Sequence, residues 1–505
     1  MTLLAAVVDA SAQVAGTSSR SRKVTILAEL LRSVDREEVG ICVGLLSGAP
    51  RQGRIGIGYA TAYDADVQPA ASPSLTVGDL DRAIGELEQT TGDGSAKLRR
   101  QLLGDLLAQA TEPEGQFIRR LMTGELRQGA LAGLMADAIA KAAGVPAEIS
   151  RRALMLSGDL TLMAEIAITS GEEGLRAVGL EIFRPILPML ASPGATVGDA
   201  VAGFGCALVE SKLDGLRVQI HRRGDEVRIY TRNLNEITDT LPGIVDSVRR
   251  LPVKQVVLDG EALWMGEGRP ASFQETMSQI DADAPPEGVV TFLFDLLHVD
   301  GEDLLDTPLR ERTARLEEVA PALKVPGALT SDPKVGEAVL AESLRAGHEG
   351  VVVKDAASTY AAGRRGASWR KVKPVLTYDL VVLGAEWGHG RRRGWLSNLH
   401  LGARDPASGE FVMVGKTFKG LTDELLRWQT GALLERQTSQ RGIAVFVVPE
   451  LVVEIAIDGV QSSTRYLGGV ALRFARVKGY RPDKDAADAD TIDTLRSLLP
   501  GAAVR

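Results

Sequence analysis

The sequence predicts a multidomain fold, with a helical first part, a mixed α/β middle and a strand-rich last part. Three observations carry this reading. The chain has 505 residues, more than one domain ordinarily holds. Residues 1–190 keep apolar side chains at helical spacing. From Leu208 onward the text changes to short runs of β-branched and aromatic residues punctuated by glycine.

The helical part is justified segment by segment. In "KVTILAELLRSV" the residues Val24, Leu27, Leu30 and Leu31 fall on one face. "AKLRRQLLGDLLAQA" does the same with Leu98, Leu102, Leu103, Leu106 and Leu107. "TTGDGS" and "TEPEG" are breaks between such segments. The opening "MTLLAAVVDASAQVAG" reads as a helix start rather than a signal peptide, because no basic residue precedes its apolar run and Asp9 cuts that run short. The prolines and small residues of "FRPILPMLASPGA" read as a linker. Three domains are therefore expected, over 1–190, 195–374 and 375–505.

In the middle part, "EVRIYTRN", "QVVLDGEALWM", "VVTFLFDLLHVDG", "GVVVKD" and "WRKVKP" have strand composition, with helical text between them. After Leu376, "YDLVVLGAEWG", "LHLGARD", "EFVMVGKTF", "LVVEIAI" and "ALRFARVKGY" are short strands with glycine turns, the pattern of a small all-β barrel.

Composition narrows the function classes. The formal net charge is −8, so any grip on a polyanion has to come from local cation clusters. Two cysteines, Cys42 and Cys206, leave no disulfide framework or multi-cysteine zinc site and suit a reducing, cytoplasmic setting. The five histidines show no metal-ligand spacing. No apolar run reaches membrane-spanning length, so no membrane partner is expected.

The chemistry concentrates around Lys212 in "ESKLDGLRVQIHRR", two residues before the Asp214-Gly215 turn. A lysine amine is a nucleophile only when neutral, and its ordinary pKa is about 10.4. Arg217, Lys371, Lys373 and a divalent metal converging on it are the cations that could lower that value. Asp214 could orient the amine or hold metal-bound water. "LDGEAL" places Asp259 and Glu261 on one face of a strand. "HEGVVVKD" sets Glu349 at a strand start, with Lys354 further along. Carboxylates at strand ends are hard-oxygen ligands suited to Mg²⁺. In "RRGASWRKVKP", which concentrates Arg364, Arg365, Arg370, Lys371 and Lys373, the residues Trp369, Lys371 and Lys373 share a face, and two ammonium groups projecting together suit the charge of a phosphoryl-transfer transition state. Taken singly, "KLDG" reads better as a surface turn and "WRKVKP" as a solvated basic strand, and the carboxylates have a surface reading beside turns.

The ordered series "KLDGLR", "YTRN", "LDGEAL", "FLFD", "EGVVVKD", "WRKVKP" and "LRFARVKGYRPDK" resembles the ATP-dependent DNA ligases, a branch of the covalent nucleotidyltransferases, over nearly the whole chain. The resemblance implies an all-α DNA-binding domain, an α/β (ATP-grasp-like) adenylation domain and an all-β OB-fold domain. It implies ATP and Mg²⁺ as cofactors and nicked double-stranded DNA as partner, with the chain acting as a monomer. Lys212 then attacks the α-phosphate of ATP and forms lysyl-AMP. AMP passes to the 5′-phosphate at a nick, and the 3′-hydroxyl expels it. Glu210 matches the acceptor of the adenine amino group, Arg217 a phosphate contact, and Arg232 a nucleotide and DNA-phosphate contact. Glu261 and Glu349 match ribose and metal positions, with Asp214 as a third metal-site carboxylate. Phe294 matches the aromatic that stacks on adenine, with Phe292 as the alternative. Arg365, Lys371 and Lys373 match cations around the phosphates, and Arg473, Arg476 and Lys484 match cations that orient pyrophosphate.

The segment "FIRRLMTGELRQGALAGLMADAIA" resembles the DNA-binding region of such ligases, with Arg119, Arg120 and Arg127 beside glycines. Arg391 to Arg393, in "GHGRRRGW", form a basic loop read as a DNA-phosphate contact. "GKT" in "GEFVMVGKTF" is not a P-loop: that loop needs glycine at position 410, where this chain has Glu410. An RNA ligase or capping-type nucleotidyltransferase, and a non-catalytic DNA-binding protein with a ligase-like core, are the alternatives. Capping enzymes generally lack the long helical part, and the intact Lys212, Asp214, Glu261, Glu349, Lys371 and Lys373 oppose a degenerate core. NAD-dependent ligases normally carry a four-cysteine zinc site that two cysteines cannot supply.

Overall fold

The computed structural model describes all residues except 54–56, 64–66, 93, 127–131, 267–268, 272, 281–287, 362–364, 375 and 500–505. Arg127 and Arg364 therefore lie outside the described residues, and so does the side chain of Arg365.

The first part is helical, as its periodicity predicts. Helix Arg20–Ser33 packs on Ala132–Ala143, and Val39–Ser47 on Leu160–Arg176. Leu27, Leu31, Leu103 and Leu107 are buried in one apolar cluster, as the helical spacing requires. Two helix starts carry reciprocal capping. Thr76 and Asp79 cap Val77–Gln89, and Thr111 and Glu114 cap Glu112–Met122. Each pair satisfies backbone donors that an uncapped helix leaves open. Helix Leu160–Arg176 breaks its regular path at Gly171, whose φ of 60° suits a residue without Cβ.

The middle part is built on two sheets. Its strands are β1 (Leu190–Pro193), β2 (Ala207–Ser211), β3 (Leu216–Arg223), β4 (Glu226–Thr231), β5 (Gln255–Gly266), β6 (Arg269–Pro270), β7 (Val289–Val299), β8 (Glu302–Asp303), β9 (Gly327–Thr330), β10 (Val351–Asp355) and β11 (Arg365–Val372). One sheet runs β1-β11-β10-β2-β9. The other runs β4-β3-β5-β7-β8, with β6 on β5.

The proline-rich stretch before β1 is not a free linker. Ile186 and Met189 are buried, the Ile186 N–H donates to Gln219 at 2.8 Å, and the Met189 N–H donates to the Tyr360 hydroxyl at 3.0 Å. β1 itself pairs in parallel with β11. The prolines remove backbone donors but leave carbonyls and apolar side chains for the sheet to hold. Met155 and Leu156 of the helical part join the same buried cluster, and Arg152 forms a two-pronged ion pair with Asp306. A cut at residue 195 would therefore remove part of the catalytic sheet.

The last part contains β12 (Leu376–Trp387), β13 (Leu396–Arg404), β14 (Phe411–Thr417), β15 (Gln437–Arg441), β16 (Ala444–Val447), β17 (Val452–Ile457), β18 (Gly459–Ser462), β19 (Val470–Arg473) and β20 (Arg476–Tyr480). The long β12 pairs with β13, β16 and β17, and β17 pairs with β20. This part is β-rich rather than all-β, because helix Asp423–Glu435 buries Leu426, Gln429 and Leu433 against it. Its sequence "DELLRWQTGALLE" repeats leucine at helical spacing behind the capping Thr422, a signal that the surrounding strands mask. Lys416 lies in β14 opposite His400, in a hairpin rather than a phosphate loop.

Candidate active site

The two sheets of the middle part face each other across a cavity of about 640 Å³. β2 ends at Ser211 and β3 begins at Leu216, so "KLDG" is the turn that carries the chain between them. Gly215 is required there, since a Cβ would press into the Ala262 carbonyl of β5. The turn is pinned by its own backbone. The Lys212 N–H donates to the Gly350 carbonyl at 2.7 Å, and the Glu349 N–H donates to the Lys212 carbonyl at 3.1 Å. That exchange brings the Lys212 ammonium onto the Glu349 carboxylate. Lys373 Nζ lies 2.7 Å from the same Glu349 oxygen. Glu349 is thus a carboxylate partner of the amine that the turn itself does not supply. Asp214, which also lines the cavity, accepts from Arg473 Nη1 at 3.0 Å.

Most of the expected residues come together. Glu210, Lys212, Asp214, Arg217, Arg232, Glu261, Phe294 and Lys371 all line the cavity. β10 lies between β2 and β11, so Val352 pairs with Glu210 on one side and Lys371 on the other. Trp369 and Lys371 face the cavity from β11, as strand alternation predicts. Lys373 follows the end of β11 and joins the site through Glu349. Phe292 and Phe294 both pack against the small cluster of Leu213, Leu263 and Val325, and of the two Phe294 lines the cavity.

Three expectations change in detail. Arg217 uses Nε and Nη2 on Asp259, at 2.9 and 2.6 Å, and Nη1 on the Met189 carbonyl at 2.7 Å. Only its remaining N–H groups are left for a phosphate, because a bidentate carboxylate holds the guanidinium in the wall. Asp214, Glu261 and Glu349 do not converge, and no cluster of three or more metal-donor side chains occurs among the described residues. Asp214 meets Arg473, and Glu349 meets Lys212 and Lys373, so these carboxylates are paired with cations of the chain. Lys484 lies with Arg481 on Asp379, outside the cavity lining, whereas Arg473 meets Asp214, which lines the cavity.

Electrostatics mark two carboxyls. Burial pushes the Glu261 carboxyl up to about 8, against the pull of Arg217 and Lys212. Burial likewise raises Glu210 above the ordinary carboxylate range, opposed chiefly by Lys354.

The structure adds Tyr360 to the site and gives Asp259 and Lys354 partners that the sequence does not name. Asp259 anchors Arg217 and accepts from the Tyr360 hydroxyl at 2.7 Å. Lys354 lies 2.5 Å from Glu210 in the cavity wall. Neither Tyr360 nor the Lys354–Glu210 pairing has a local sequence signal, since each joins elements more than 100 residues apart.

A family model for the ATP dependent DNA ligase domain matches residues 188–373, one for the DNA ligase N terminus matches 60–140, and one for the ATP dependent DNA ligase C terminal region matches 392–484. A probable DNA ligase of Saccharopolyspora erythraea is 55% identical over 500 residues, covering 99% of this chain and 98% of that protein. The chain belongs to the ATP-dependent DNA ligase family. A probable DNA ligase of Rhodococcus opacus is 53% identical over 99% of this ligase and 100% of its own length. A solved structure titled Pmar-Lig_PreS3 shares the fold, with a TM-score of 0.61 at 21% identity over 94% of this ligase and 99% of that chain. The reaction is ATP-dependent DNA joining, which in this family proceeds through lysyl-AMP. No helix among the described residues of the ligase is long and apolar enough to cross a membrane.

Proposed function

We propose that this ligase seals nicks in duplex DNA as a monomer, with Lys212 as the covalent AMP carrier. One observation carries the assignment. Lys212 and Lys354 both bring a carboxylate-paired amine to the cavity wall, but the Lys354 side chain is 2% exposed, whereas that of Lys212 is 21% exposed beside Glu349, with neighbours suited to both ends of a nucleotide. Glu210, Phe294, Lys371 and Arg232 all line the cavity, the first two with side chains suited to a base and the last two with charges suited to phosphates.

In the first step the Lys212 amine attacks the α-phosphorus of ATP, a P–N bond forms, and the bond to pyrophosphate breaks. Glu349 is positioned to take the proton that the amine gives up. Arg473, held to Asp214 at the cavity edge, is suited to pyrophosphate as it departs. In the second step a 5′-phosphate oxygen displaces lysine from AMP. In the third, the 3′-hydroxyl attacks the activated phosphate and AMP leaves.

Glu261 and Glu349 do not converge, so a divalent cation would be held by one of these carboxylates together with substrate phosphates and water, a common arrangement for Mg²⁺. Bound there, Mg²⁺ neutralises phosphate charge. Glu261, whose carboxyl burial has pushed up to about 8, is the group such a cation would keep ionised.

The strand-rich last part is proposed as an OB-type barrel that closes over the nucleotide, the middle part as the adenylation domain, and the helical part as the DNA-binding domain. Arg120, exposed on helix Glu112–Met122, is its best-placed cation. Arg119 instead donates to the Ala62 carbonyl at 3.2 Å. Two free cysteines suit a cytoplasmic enzyme.

The test is sealing of an end-labelled nicked duplex with ATP and Mg²⁺. Joining that requires both supports the reading. Failure to join a DNA nick, with joining of an RNA nick instead, overturns it.

A further inference from the structure

Glu210 is 2% exposed, and its Oε1 has no hydrogen-bond partner among the described residues, yet the side chain lines the nucleotide cavity. A buried acceptor without a donor is costly unless a charge or a ligand compensates it. The charge comes from Lys354, itself 2% exposed, whose Nζ lies 2.5 Å from Glu210 Oε2. That ammonium is fixed from several sides. It donates to the Phe294 carbonyl at 3.0 Å and lies 4.7 and 4.4 Å from the ring centres of Phe294 and Trp369. Both rings line the cavity. Lys354 is therefore built into the wall on the side where Glu210 waits for a donor.

We propose that Lys354 is a positioning residue for purine selection, holding the buried Glu210 side chain as an acceptor aimed into the cavity, so that the site prefers a purine triphosphate with a 6-amino group over one with a 6-keto oxygen. The inference rests on the reading that Glu210 meets the base. A 6-amino group donates to a carboxylate, whereas a 6-keto oxygen sets two acceptors against each other. The other charged groups facing Glu210 are Asp295 and Lys324. Asp295 is neutralised by the two-pronged contact of Arg312, at 2.7 and 2.8 Å, and Lys324 is held by Glu317. Lys354 is thus the cation left to keep Glu210 an acceptor. Without it, the buried carboxyl takes up a proton and becomes a donor, which suits the keto purine.

The test measures lysyl-nucleotide formation on the full-length protein with ATP and with ITP, giving kcat and KM for each. Lys354→Met is expected to lower the ATP-to-ITP preference in kcat/KM at least tenfold, the scale of one charge-assisted hydrogen bond, mainly through KM, and Lys354→Arg to restore most of it. Equal losses for both nucleotides, leaving the preference unchanged, would overturn the proposal, because a merely structural lysine damages both alike. A second comparison avoids the folding risk of an unpaired buried carboxylate. Glu210→Gln and the double variant Glu210→Gln, Lys354→Met are expected to share one preference, because Lys354 acts through Glu210. A further tenfold loss in the double variant would mean that Lys354 reads the base itself. Glu210→Ala separates the underlying reading: if it keeps the wild-type preference, Glu210 does not meet the base, whatever Lys354 does.

Discussion

Arg473 Nη1 donates to Asp214 Oδ2 at 3.0 Å, tying the strand-rich last part to the turn that carries Lys212, across 259 residues of sequence. The same guanidinium lies 3.9 Å from Glu349. Burial lowers the Arg473 guanidinium, but Asp214 and Glu349 outweigh it and hold the pKa above its ordinary value, so the residue brings a fixed positive charge to the cavity edge.

Arg473→Ala should therefore slow lysyl-AMP formation by about 10–100-fold, the range for losing a hydrogen bond to a charged group. Sealing of a nick that already carries AMP should change little. Single-turnover assays of the two steps separate the outcomes, and equal slowing of both would assign Arg473 to general stability instead.

Glu261 gives a pH prediction. Its carboxyl is pushed up to about 8 in the folded protein from an ordinary 4.5, so the folded state favours the protonated form. Its contribution to stability is present below pH 4.5 and is lost as pH rises through about 8. Glu261→Gln should thus melt like wild type at low pH and gain on it as pH rises over that window, while lysyl-AMP formation falls by orders of magnitude. A melting temperature that collapses at every pH would make Glu261 a structural carboxylate.

Glu386 behaves in the opposite sense. Burial raises its carboxyl, but Lys416, Asn398 and His400 outweigh that and lower it to about 2. A depressed pKa stabilises above the ordinary value and is lost as pH falls through the folded one. Glu386→Gln should lower the melting temperature at neutral pH, and the gap should close between about pH 4.5 and 2, followed by differential scanning fluorimetry. A gap that stays constant across that range would remove the network as its cause.

The order of motifs, the helical first part and the strand-bound lysines were legible because each rests on local spacing. Trp369 and Lys371 share a face by strand alternation, and Phe294 reaches the cavity from the strand that its composition predicts. What was not legible depends on partners distant in the chain. The Asp214 side chain turns to Arg473, a contact that no local pattern encodes. By local pattern Lys354 is one more strand lysine, and its contact with Glu210 comes from the pairing of β10 with β2. The stretch before β1 looked like a linker because proline signals a break, although its apolar residues fill the catalytic core. Helix Asp423–Glu435 was hidden among strands that set the texture of the whole region.

Arg120→Ala tests the DNA grip of the helical part. If Arg120 meets one phosphate of B-DNA, the slope of log affinity against log salt should fall by about 0.9. Gel-shift titration on nicked duplex across a salt series measures it. An unchanged slope would move the grip to other cations, such as Arg391 to Arg393.

The account stands on Lys212 as the covalent carrier. Wild-type protein and Lys212→Ala, matched for melting temperature, should be incubated with α-labelled ATP and Mg²⁺ and run on a denaturing gel. Label retained on wild type through boiling and absent from Lys212→Ala is the predicted result. Labelling of the folded variant at the wild-type level would contradict the assignment and place the nucleophile on another residue.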